Sequence, residues 1–167
     1  MAIAATDILY YHGLTTAEGA DHGGGINTLD AVATTANDLY DNVSGDEALA
    51  GDHEFRKVFV MLGAGAGASV LTSPVLWMTT TEGTTAERIY FTTGTESKQS
   101  NLANTALTHI STAWTRAIAK TAGITFAANM SSGSLNAIAI WQCRVIDASS
   151  GSVASDRVDL KVEGDTA

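Results

Sequence analysis

The run LYDNVSGDEALAGDHEFRKVFVML, residues 39–62, decides the fold, because within it the chain passes from a turn through one capped turn of helix into a strand. Ser44 and Glu47 stand three apart. The serine hydroxyl can therefore accept from the Glu47 amide while the Glu47 carboxylate reaches back to the Ser44 amide. A helix begins there and cannot run far, since Gly51-Asp52 follow within about a turn and glycine supplies the positive φ that ends helices. From Phe55 to Leu62 apolar and β-branched residues crowd together, with Arg56-Lys57 at the start, which predicts a mostly buried strand.

Working outward on the C-terminal side, Val58 to Thr81 contains no charged residue, a length that could span a bilayer. The GAGAGAS centre is poor helix material and Pro74 interrupts the second half, so a membrane span is rejected. Two strands, Phe55–Leu62 and Val70–Thr80, joined by a glycine-rich hairpin turn explain the stretch better. Residues Gly63 to Gly67 follow a strand as phosphate-binding loops do, but no helix and no Lys-Ser/Thr pair follow. A third strand is expected at 88–92. The middle of the chain is the least readable part. Leu102, Ala106, Ile110, Ala113, Trp114 and Ala117 repeat near helical spacing, while the many threonines argue for loop with strand pieces, the reading favoured here. A short strand is expected at 124–127.

The last third is clear. Leu135, Ala137, Ala139, Trp141, Cys143 and Val145 alternate with Asn136, Ile138, Ile140, Gln142, Arg144 and Ile146, as the two faces of one long strand do. A polar turn at 147–152 leads to a closing strand in which Val158, Leu160 and Val162 alternate with Asp159, Lys161 and Glu163.

On the N-terminal side, Ile8-Leu9-Tyr10-Tyr11 is either a first strand or a docking arm. Residues 12–25 carry five glycines and read as a mobile loop, and 26–37 offer mainly alanine for packing. The expectation is a flexible, extended arm over 1–36 and a single domain over 37–167. Together these elements predict an all-β fold, an antiparallel β-sandwich or jelly-roll-like barrel with at most minor helix.

Composition narrows the function. At 167 residues the chain can hide roughly 68–70% of its unfolded surface, enough for a core without disulfides or metals. Its 9 basic and 18 acidic residues give a net charge of −9, which works against nucleic-acid binding, since that affinity rests on Lys/Arg contacts to phosphate. Cys143 is the only cysteine, so no intrachain disulfide forms, and its place in a strand predicts a buried thiol. The segment MAIAATDILYYH lacks the basic and apolar regions of a secretory signal.

Groups that could carry chemistry do not gather into a motif. His12, His22, His53 and His109 form no pair at helical ligand spacing, and no cysteine partner exists for zinc. Asp41, Asp46, Glu47 and Asp52 crowd together but miss the alternating oxygen spacing of a calcium loop, and capping and turn formation account for them. No nucleophile-elbow sequence occurs. No catalytic, cofactor-binding or metal-binding residues are assigned, and a non-enzymatic protein is expected. Trp77 and Trp141 fall in core strands, which leaves Trp114 as the tryptophan suited to a contact surface.

The run from Leu39 to Val60 resembles a motif in small structural proteins of tailed bacteriophage virions, where an acidic turn leads through an Ala-Gly-Asp bend into a strand opening with an aromatic-Arg pair. Ile140-Trp141 to Arg144 and the ending Gly164-Asp165-Thr166 are similar to the same family, with a looser similarity over residues 1–12. The chain departs from the pattern at Leu62-Gly63, where family members often place Asn, and residues 94–130 match nothing in it. The resemblance implies a non-enzymatic virion component, most plausibly a capsid decoration or cement protein assembled in the host cytoplasm. Its partners would be the major capsid protein, other virion subunits and further copies of itself, with no nucleic acid, membrane or cofactor. Ile8, Leu9, Tyr10, Tyr11 and Trp114 are the candidate assembly contacts. A tail, baseplate or fibre-attachment subunit is the alternative within this class. A carbohydrate-binding module using Trp114 is the alternative outside it.

Overall fold

A computed structural model describes residues 3–15, 22–33, 38–80, 87–93, 101–102, 114–133, 136–151 and 158–167. Two antiparallel sheets organise them. The larger has the order β5-β8-β3-β1-β2-β6, formed by β1 (Ile8–Thr15), β2 (His22–Ala31), β3 (Asp52–Leu62), β5 (Glu87–Thr92), β6 (Asn101–Leu102) and β8 (Ile138–Ile146). The smaller has the order β7-β4-β9, from β4 (Leu71–Thr80), β7 (Ile124–Thr125) and β9 (Asp159–Thr166). Among the described residues the one α-helix is α1 (Gly45–Ala50). The mostly-β expectation therefore holds. The sheets do not close into a barrel, which sets aside that half of the expected architecture.

The opening stretch behaves as its spacing predicts. Ser44 Oγ accepts from the Glu47 amide at 3.2 Å, and Glu47 Oε2 accepts from the Ser44 amide at 2.6 Å, so the two orphan donors satisfy each other. Gly51, at φ 77, ends the helix. There a Cβ would lie 3.0 Å from the Ala148 amide nitrogen, so glycine is required for both conformation and space.

β3 and β8 form the spine, paired without a break from Asp52↔Ile146 to Val60↔Ile138. Side chains alternate across the pleat, so Glu54, Arg56, Val58, Val60 and Leu62 share a face with Arg144, Gln142, Ile140 and Ile138. Val60, Leu62 and Ile140 of this face join Leu76, Met78 and Val162 of the smaller sheet in one buried apolar cluster. On the opposite face Phe55, Trp141, Cys143 and Val145 form a second buried cluster.

Two expectations need correction. Ile8 to His12, expected within a flexible arm, is hydrogen-bonded in register to Leu62 to Val58, with β2 on its other side, so β1 lies inside the sheet. Residues 22–25, expected as mobile loop, are the start of β2. The glycines permit this because strand pairing is made by the backbone and needs no side chain. The rest of that loop, 16–21, lies outside the described residues, as do 103–113 of the ambiguous middle; 114–117 are not helical. The second correction concerns β3 and β4, which do not form a hairpin. A short 3₁₀ turn over Ala64–Ala66 and Gly67 at φ 59 carry the chain from one sheet to the other.

Candidate functional site

Three places in the fold bring polar or aromatic groups together. The first is the polar end of the β3–β8 face. Glu54, Arg56, Gln142 and Arg144 are all buried there, at 2%, 8%, 3% and 5% exposure. Residues 38–43 cross this end as a strap. Arg144 holds Glu54 through Nε, and its terminal nitrogens donate to the Asp41 carbonyl at 2.6 Å and to Asp41 Oδ1 at 3.3 Å. Arg56 Nε donates to the Leu39 carbonyl at 3.0 Å. His12 Nε2 meets Asp38 Oδ2 at 3.1 Å, and the same oxygen accepts from the Ala33 amide at 2.7 Å. Side chains from β1, β3 and β8 thus fasten the strap to three strands at once.

Tyr40 lies at the centre of this arrangement. The Arg56 and Arg144 guanidinium carbons stand 5.2 and 4.9 Å from its ring centroid, a favourable placement against the aromatic quadrupole. Burial pushes the Tyr40 phenol well above its ordinary range, so it stays protonated. Charges enclosed this way are costly to desolvate and become tolerable only when each is paired. The chemistry of this cluster is spent on holding the strap.

The second place is an open groove of about 510 Å³ where α1 meets the start of β3 and the end of β8. Asp52, His53 and Asp147 supply its polar groups, while Phe55 and Val145 are among the apolar ones. Both carboxylates are engaged: Asp52 Oδ1 accepts from the His53 amide at 2.7 Å, and Asp147 accepts from Arg88. Cys143, on the strand beside it, is fully buried, and desolvation raises its thiol to about 12, with Glu54 and Asp52 adding to the effect. It is a thiol and not a thiolate at neutral pH.

The third place lies on the smaller sheet. Trp77, between Leu76 and Met78 on β4, is only 8% exposed and belongs with them to the main apolar cluster. Lys120 and Lys161 cover it, their Nζ atoms 5.7 and 5.4 Å from the ring centroid. Glu163 bridges the two ammonium groups at 3.5 and 3.3 Å. The hydrogen bond from Lys161, with the charges of both lysines, holds the Glu163 carboxyl below its usual range.

The residues singled out from sequence fall elsewhere. Ile8 and Tyr10 pack against the main core cluster, and burial raises the Tyr10 phenol to about 12. Leu9 and Tyr11 pack against a separate group around Phe59, Met61 and Ala137. Trp114 is half-buried and tilted at 56° against Phe55, with centroids 5.7 Å apart. The structure therefore divides these five residues among three clusters instead of gathering them on one surface. Of the acidic residues weighed for calcium, Asp41 and Glu47 are taken up by the strap and the cap. Among the described residues no three His, Cys, Asp or Glu side chains converge to hold a metal. Of the histidines, only His12 and His53 have described side chains, the first buried and the second exposed.

The buried network escaped the sequence reading, although one signal pointed to it. Arg144 stands as the one charge in the apolar run of β8, where a charge must be either wet or paired.

Comparison of the chain with protein-family models, with curated proteins and with solved structures finds no match in any of the three.

Proposed function

We propose that this chain is a non-enzymatic structural subunit of a tailed bacteriophage particle, a decoration or cement protein that stabilises the capsid by protein–protein contacts. The two sheets pack face to face as a sandwich in this reading, joined by the apolar cluster they share. One observation carries it. Two of the segments that resemble the virion family, 39–62 and the passage from Ile140 to Arg144, are adjacent in space: strap, α1, β3 and β8 form one bonded unit, while the ending Gly164-Asp165-Thr166 lies in β9 of the smaller sheet. The two arginines of this unit, Arg56 and Arg144, are engaged in fastening the strap, which suits a scaffold. Binding to the major capsid protein would rest on buried apolar area, multiplied by many copies on a lattice.

The test uses particles that lack the chain, heated with and without added purified protein. Added protein should bind to the particles and raise the temperature at which they release DNA. Unchanged release with saturating protein bound would exclude a cement role, and absence of binding would exclude the capsid as its partner.

A further inference from the structure

The strap is held differently from the strands around it. Among the described residues no backbone–backbone hydrogen bond joins 38–43 to either sheet. Its bonds involve side chains instead: Arg56 to the Leu39 carbonyl, Arg144 to Asp41, and the single oxygen Asp38 Oδ2 shared by His12 and the Ala33 amide. Tyr40 packs against the main apolar cluster, and its hydroxyl is enclosed without a hydrogen-bond partner among the described residues. An enclosed donor left unpaired costs free energy in the closed strap, and that cost vanishes once the hydroxyl meets water. At the other end Val43, 4% exposed and packed with Ala48 and Ile146, ties the strap to α1. Lifting the strap strands no charge, because Arg144 keeps Glu54 and the uncovered groups become solvated.

We propose that residues 38–42 form a clasp that swings about Val43 while both sheets stay folded, and so gates the Arg56–Arg144 pair beneath it. Segments with few buried contacts open locally at a lower free energy than the core does. The strap has that character, and it lies on a β3–β8 ladder paired without a break. What the clasp covers is a pair of guanidinium groups, the donors best suited to carboxylate and carbonyl oxygens, on a chain of net charge −9. This inference concerns the chain alone and needs no particle, so its failure leaves the proposed function standing, and the reverse holds too.

Hydrogen exchange of the Arg56 side-chain Nε–H, followed by NMR on the full chain, reports the clasp directly, since the Leu39 carbonyl holds that proton. After correction for intrinsic rates it should exchange at least about tenfold faster than the backbone amides of the β3–β8 ladder, and with a shallower dependence on denaturant. Leu62→Ala, at the apolar end, should speed the ladder amides and leave the Arg56 proton unchanged. Tyr40→Phe keeps the ring and removes the unpaired hydroxyl, so it should slow the Arg56 proton at least about threefold. An Arg56 proton with the ladder's rate and the ladder's denaturant slope would overturn the proposal, because the strap would then open only with the whole fold. So would acceleration of that proton by Tyr40→Phe, or an Arg56 proton that speeds up with the ladder in Leu62→Ala.

Discussion

The two ends of the β3–β8 face have the same backbone and opposite chemistry. At one end Val60, Leu62 and Ile140 are buried with side chains of the smaller sheet. At the other Glu54, Arg56, Gln142 and Arg144 are also buried, but beneath the strap of residues 38–43. What covers a strand decides what it must carry. A sheet offers its cover side chains only, so the apolar end pairs with more apolar side chains. The strap is irregular backbone whose carbonyls need donors, and arginines provide them.

Removing residues 1–36 strikes both ends and should have the largest effect. β1 contributes Ile8 and Tyr10 to the apolar end and His12 to the polar one, so the truncated chain should lose its cooperative thermal transition. A truncated protein melting at the parent temperature would restore the arm as an appendage.

Arg144→Ala comes next. It leaves Glu54 buried without its cation and frees the strap from Asp41, at a cost of about 3–5 kcal/mol in denaturant unfolding. Replacing Glu54 and Arg144 together by leucine should recover much of that loss, which would show that the polar end is expensive when broken and not strong in itself. At the apolar end, Leu62→Ala should cost about 2–5 kcal/mol, with no leucine double variant able to repair it.

The smallest effect belongs to the cap. Ser44→Ala should cost about 1 kcal/mol. The hydrogen bond from the Ser44 amide lowers the Glu47 pKa in the folded chain, so its contribution is present at neutral pH and is lost as pH falls through the carboxylate range. Glu47→Gln should therefore flatten the acid side of the stability profile, measured as unfolding midpoint against pH.

Much of the framework was legible in the sequence. β3, β4, β5, β8 and β9 announce themselves by dense apolar and β-branched residues, and the helix by Ser44 and Glu47. β2 was hidden because a strand with three glycines near its start pairs through its backbone and leaves no side-chain pattern there, while the short apolar run of β1 fitted a strand and a docking arm equally. Periodicity also identifies a strand without naming its neighbour, so β3 and β4 looked like a hairpin although they belong to different sheets. The buried network was illegible for a related reason. Glu54 and Arg144 lie 90 positions apart, and only the pairing of β3 with β8 brings them together. Trp77 was legible as buried, but not the two lysines over its ring, which come from elsewhere in the chain.

The most direct test of the central claim is quantitative mass spectrometry of purified phage particles of the kind the proposed function implies, scaling this chain against the major capsid protein. The decoration reading predicts a ratio near one to one or a simple lattice fraction of it. A ratio of a few per hundred would move the chain to the tail or a vertex, and its absence from the particle would contradict the account.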